Sequence, residues 1–219
     1  MGKRGMSENR AEALRARLEA IKVVPVIRTP SADLAIRACE WLLDAGMQAL
    51  ELTFTTPDAH RVIETFARTA PDALIGAGTV RTPAQAIAAA GAGARFLVSP
   101  GAAPGVAEAA AAAGLPYLPG AATPSEVEAR WAAGAAIVKI FPARECGGPG
   151  FLKAIKSVYP EIPLMPTGGV SPETAKAYLD AGALCLGMGG ELVSVAALKA
   201  NDPGPIREAV ARAFAAVNS

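Results

Sequence analysis

Histidine is nearly missing from this chain: its 219 residues include one, His60, together with three cysteines. His60 falls in a stretch read as a helix surface, so histidine-based nucleophilic triads and histidine-ligated metal sites have no raw material. Cys39, Cys146 and Cys185 show no CxxC spacing and leave an odd count, which argues against a disulfide framework and a zinc cluster and fits a reducing cytoplasm. Charge of one sign is lacking too. Lysine plus arginine number 21 against 20 aspartate plus glutamate, so no field exists to hold nucleic acid or an anionic membrane, and the expected partner is a small molecule. Every apolar run is broken by charge, glycine or proline before the ~18 residues a bilayer span requires. Nor does a signal core follow the basic Met1–Gly5, since Ser7–Arg10 is polar. Residues 1–7 are read as disordered or left over from expression, outside the fold.

What is present is a core-forming composition, 52% hydrophobic, enough for one domain over residues 1–219. Helix-like stretches close at Ala45-Gly46, Ala92-Gly93, Ala113-Gly114, Ala133-Gly134 and Ala181-Gly182, each followed by a short apolar run, in units of about 20 to 24 residues. Glycine after a last helical turn supplies a left-handed cap, so each unit is one helix-then-strand step. Eight strands are predicted: Val23–Arg28, Ala49–Thr53, Leu74–Gly78, Phe96–Ser99, Tyr117–Gly120, Ile137–Phe141, Leu164–Thr167 and Cys185–Met188. Ser31, Thr56-Pro57, Thr82-Pro83, Thr123-Pro124 and Ser171-Pro172 mark helix starts. Short apolar strands alternating with helices indicate an α/β fold with a parallel sheet, closed as a (β/α)8 TIM barrel. An open doubly wound sheet is the competing architecture, but its GxGxxG fingerprint is missing after the first strand. Residues from about Glu8 to Ile21, with Leu14, Leu18 and Ile21 on one side, form an extra N-terminal helix expected to plug the barrel floor.

In such a barrel the active site lies at the C-terminal ends of the strands. The period of two turns Glu51 and Thr53 inward on the second strand and Lys139 and Phe141 inward on the sixth. Lys139 is the one cation in the apolar run Ala135–Phe141. An ammonium in such surroundings loses hydration, which favours the free amine and makes it a candidate imine former. An inward glutamate and lysine at matching depth form either a buried ion pair or an acid/base and nucleophile team. Glycine-rich turns, Gly168-Gly169 after the seventh strand and Gly189-Gly190 after the eighth, stand where this fold receives phosphate, although turns use glycine in any case.

The segments Val24–Arg28, Leu50–Thr53, Gly76–Val80, Val98–Gly101, Leu118–Gly120, Val138–Pro142 and Pro166–Val170 resemble, in order, those of the class I aldolases that cleave 2-keto-3-deoxy-6-phosphogluconate (KDPG), with the related 4-hydroxy-2-oxoglutarate (KHG) activity. The resemblance covers nearly the whole chain from about residue 20. It implies that Lys139 forms an imine with a 2-keto acid and that Glu51 shuttles protons. It places Thr79, Pro100 and Phe141 around the pyruvyl moiety, Thr167 near the carboxylate, and the phosphate on Gly168, Gly169, Gly189 and Gly190. Arg28 and Thr53 complete the candidate substrate contacts. No cofactor and no metal are implied, and a homotrimer is expected.

Two positions depart from the family pattern: Thr55 stands where members carry an arginine that binds substrate charge, and Glu191 where they carry a serine after the last glycine pair. Arg28, Arg81 and Arg144 are placed to supply the missing cation. An unphosphorylated, shorter or stereoisomeric substrate such as 2-keto-3-deoxy-6-phosphogalactonate stays open. So do an isomerase, epimerase or synthase that uses the pair without an imine, and a non-catalytic barrel that binds a phosphorylated ligand.

Overall fold

A computed structural model describes residues 3–219, and every strand pairing in it is parallel. In chain order the strands are β1 (Val23–Ile27), β2 (Ala49–Thr53), β3 (Leu74–Gly78), β4 (Leu97–Val98), β5 (Tyr117–Leu118), β6 (Gly120–Ala121), β7 (Val138–Ile140), β8 (Leu164–Pro166) and β9 (Leu186–Met188). They form the runs β5-β4-β3-β2-β1-β9 and β6-β7-β8. Two junctions join these runs into a ring. Thr167, just past β8, bridges Gly187 of β9. At the other junction the expected continuous strand Tyr117–Gly120 is split at Pro119, which has no N–H to give to a ladder. β5 therefore pairs with β4 and β6 with β7, while the Pro119 carbonyl accepts from Lys139 N at 2.9 Å to carry the ring across. The nine assigned strands make eight staves, an α/β barrel.

The helices are α1 (Lys3–Ile21), α2 (Ala32–Asp44), α3 (Ala59–Thr69), α4 (Pro83–Gly91), α5 (Val106–Ala113), α6 (Pro124–Ala132), α7 (Gly148–Val158), α8 (Pro172–Asp180), α9 (Val195–Ala200) and α10 (Gly204–Val217). Ser31, Thr82 and Thr123 cap α2, α4 and α6 by accepting from Leu34 N, Gln85 N and Glu126 N. Ser171 N donates to the Thr174 hydroxyl at the start of α8. Thr56 does not cap α3. Its buried hydroxyl accepts from Thr29 N at 3.1 Å, tying two loops together, and α3 starts after Asp58, whose φ is +52°. The N-terminal helix begins at Lys3, within the stretch expected to lie outside the fold, because no proline interrupts it before Ile21; Met1 and Gly2 fall outside the described residues.

Period-two alternation divides the staves into two apolar layers. Leu50, Leu52, Ile75, Val138 and Ile140 face the helices and pack with Ala35, Leu42, Val62 and Ile63. Val24, Ala49, Phe96, Val98, Leu118, Ile137, Met165 and Cys185 fill the interior, and Leu14 and Leu18 of α1 join them. α1 thus closes the end of the barrel opposite the strand C-termini. Its arginines pin it there: Arg10 donates to Gly114 O at 2.8 Å, Arg15 to Ala136 O at 3.2 Å, and Arg17 to Asp72 O. Leu18 is 0% exposed. Truncating it to alanine is expected to destabilise the fold by about 2–5 kcal/mol, whereas Glu19→Ala on the exposed side stays within about 0.5 kcal/mol, both read from urea unfolding midpoints.

Candidate active site

Lys139 Nζ lies 3.6 Å from Glu51 Oε1, with side chains 5% and 0% exposed. The two reach each other because their staves stand at comparable height: Glu51 pairs with Val26 and Gly76, Lys139 with Gly120 and Met165. Space for the carboxylate comes from Gly78 on the neighbouring stave, where any Cβ would overlap the Glu51 carboxyl group. Neither Glu51 oxygen has a hydrogen-bond partner, so the ion pair alone offsets the burial of that charge. The field of the carboxylate extends to Cys185, whose thiol is pushed up first by burial and then by Glu51. The Lys139 ammonium also sits 5.3 Å from the centre of the Phe141 ring, on which a cation is favoured.

Phe141 connects this pair to a cleft of about 360 Å³ between the loops after β7, β8 and β9 and the end of β1, whose walls include Phe141 but neither Lys139 nor Glu51. Of the expected residues, Arg28, Phe141, Thr167, Gly168, Gly169, Gly189 and Gly190 line it. The Thr167 hydroxyl is buried without a partner, so a polar ligand would find one acceptor or donor unspent there. Gly189 holds its turn shut by accepting from Leu192 N at 2.9 Å and Val193 N at 3.0 Å. Three expected contacts lie elsewhere. The Thr53 hydroxyl, fully buried, donates to Ile27 O at 3.0 Å and meets the Thr55 hydroxyl at 2.8 Å. Thr79 and Pro100 sit half-buried at the mouths of β3 and β4, outside the cleft lining. Thr79 has φ +53°, a costly conformation for a β-branched residue at a strand end.

Of the cations placed to replace the absent arginine at Thr55, Arg28 and Arg144 line the cleft and Arg81 does not; Glu191 lines it as well. His60 is exposed on α3. Sequence reasoning missed the cleft's apolar wall, Val26, Val193 and Val195, and the carboxylate of Glu145, which holds Arg144. The signal for the latter was plain adjacency of opposite charges. Among the described residues no three His, Cys, Asp or Glu side chains converge as a metal site, and no helix is long and apolar enough to cross a membrane.

The family model for KDPG and KHG aldolases matches residues 14–209, which takes in every stave and both glycine turns. The chain belongs to this family. It is 38% identical over 203 residues to the 2-dehydro-3-deoxy-phosphogluconate aldolase of Dickeya dadantii, covering 90% of this chain and 95% of that one. To the KHG/KDPG aldolase of Escherichia coli it is 37% identical over 181 residues, 82% of this chain and 84% of the relative. A crystal structure of the Legionella pneumophila KDPG aldolase, with pyruvate captured as a covalent carbinolamine, superposes with a TM-score of 0.82 at 36% identity over 90% of this chain and 95% of that one.

Within this KDPG/KHG aldolase the fit of Glu51 against Gly78 can be measured directly. Gly78→Ala is expected to cost about 1–3 kcal/mol of stability by overpacking. Gly91→Ala at the end of α4, with nothing within 4 Å of the added methyl group, should instead gain about 0.4–1 kcal/mol. Urea unfolding of both variants checks the contrast.

Proposed function

We propose that this chain is a class I aldolase that cleaves KDPG, or a close analogue, to pyruvate and a triose phosphate, with Lys139 as the imine-forming amine and Glu51 as the proton carrier. The observation that carries the reading is the 3.6 Å contact of two nearly dehydrated, oppositely charged groups beneath the cleft. Glu51 takes a proton from the Lys139 ammonium, the free amine adds to the C2 carbonyl of the 2-keto acid, and Glu51 gives the proton back to the carbinolamine hydroxyl, whose loss as water leaves the iminium ion. Glu51 takes the C4 hydroxyl proton, the C3–C4 bond breaks, and its electron pair moves into the C=N bond as an enamine while the aldehyde leaves. Returning the proton to C3 and adding water to the imine releases pyruvate and the free lysine. The unpaired oxygens of Glu51 are available for each of these transfers, and the unpaired Thr167 hydroxyl is available to the substrate carboxylate.

Phe141 and, at the rim, Thr79 and Pro100 enclose the pyruvyl end in this reading, and Thr53 acts indirectly by holding β1 to β2. Gly168, Gly169, Gly189 and Gly190 receive the distal phosphate, with Arg28 the cation at the end of β1. Glu191 on the same wall keeps stereoisomers and unphosphorylated analogues in contention. A cytoplasmic homotrimer completes the reading, supported by the family resemblance and by three unpaired cysteines.

Borohydride added with pyruvate should inactivate the enzyme and leave a reduced pyruvyl group on the peptide that contains Lys139; a label elsewhere, or none, refutes the assignment. Glu51→Gln should lower kcat by about 10²- to 10⁴-fold, the range of general acid/base assistance, in an assay coupled to pyruvate release. Sedimentation equilibrium should give a mass three times that of the chain.

A further inference from the structure

We propose that Arg144 determines specificity for the distal anionic group of the substrate, and that it binds that group by giving up Glu145. The inference rests on the aldolase reading above for the identity of the substrate, but its geometry belongs to the cleft alone. Arg144 follows β7 by four residues, and its N–H donates to Gly168 O at 3.0 Å, which seats the loop on the glycine turn. The side chain then lies flat over Gly169. A Cβ at that position would fall 2.5 Å from Arg144 Cβ and 2.9 Å from its Cδ and Nε, and φ of +70° there already favours glycine. The glycine turn is thus shaped to admit this arginine as well as a ligand.

Charge decides the rest. The charged side chains lining the cleft are Arg28, Arg144 and Glu191. Without Arg144 the remaining two cancel, and the cleft has no net attraction for an anion beyond its backbone N–H groups. Arg144 is committed to its neighbour: Nε donates to Glu145 Oε1 at 3.0 Å and Nη2 lies 2.9 Å from the same oxygen. That pair is 69% and 50% exposed, the class of ion pair that contributes about 0–1 kcal/mol. A phosphate offers three acceptor oxygens and up to two charges to a planar guanidinium fork, a stronger match than one exposed carboxylate oxygen. Exchange of partners is therefore favourable, and Glu145 and Glu191 set how tightly the anion is held.

The test compares a phosphorylated 2-keto-3-deoxy sugar acid with its unphosphorylated counterpart in the wild type, Arg144→Ala, Arg144→Lys and Glu145→Gln. Arg144→Ala should lower the phosphorylated-to-unphosphorylated ratio of kcat/KM by about 10- to 100-fold, through KM. Arg144→Lys should recover part of the loss, and Glu145→Gln should raise the ratio by about 2- to 5-fold. Inorganic phosphate supplies a second readout that needs no imine: its stabilisation of the fold in thermal melts should weaken in Arg144→Ala and strengthen in Glu145→Gln. A wild type that traps no pyruvate under borohydride would overturn the aldolase assignment while leaving the phosphate melts to decide the role of Arg144. The inference itself is overturned if Arg144→Ala changes ratio and phosphate stabilisation by less than twofold, or if Glu145→Gln weakens both as much as Arg144→Ala does.

Discussion

A lysine and a glutamate stripped of water inside a closed parallel barrel form the contact on which the rest of this structure depends. Neither charge is tolerable there alone: removing one partner of such a buried pair typically costs about 3–5 kcal/mol, because the survivor is left uncompensated. Their being together needs two staves on different sides of the ring to present inward residues at one depth, which the parallel registers of β2 and β7 provide. It also needs room, which Gly78 leaves. The reactive arrangement is thus a property of the whole barrel, and the residues that secure it include several that touch no ligand.

Rigidity and adaptability are divided by height in the barrel. Toward the closed end the interior is filled by Phe96, Val98, Leu118, Ile137 and Met165, all buried and interlocked, with α1 packed against this cluster. Above it the cleft is lined by loop residues, glycine turns and exposed charges. Errors of position are costly for an attacking nitrogen, which must approach a carbonyl carbon within a narrow geometry. They matter less for an arginine reaching toward an anion, and the two departures from the family pattern, Thr55 and Glu191, are both exposed residues of this rim.

Much of this was legible in the residues. Alternation alone turned Glu51 and Lys139 inward, and Ala-Gly punctuation marked the staves, because both follow from local periodicity and from the conformational needs of a helix end. Hydroxyls at Ser31, Thr82 and Thr123 announced their helices for the same reason. Features set by long-range contact were not legible. Thr56 carries the same signature as the true caps, yet a backbone N–H 27 residues away takes its hydroxyl. Pro119 reads as one residue of a strand until the two flanking staves compete for its neighbours. The left-handed conformations at Asp58 and Thr79 likewise belong to loops whose shape is dictated by what they pack against. For Glu145 the pairing was visible in sequence, but its meaning required knowing that Arg144 faces the cleft.

Because Leu14 and Leu18 of α1 pack into one end of the barrel, the way in toward Lys139 lies at the other end, where the loops form the cleft. In the proposed function, a substrate that joins itself to Lys139 enters head first, with its reactive carbonyl deepest and its tail toward the loops. Once such a molecule is cut in two, the outer fragment blocks the inner one's exit. Departure is then ordered by depth, the aldehyde half leaving before the keto-acid half, and the water that frees the lysine must follow in through the space the first fragment vacates.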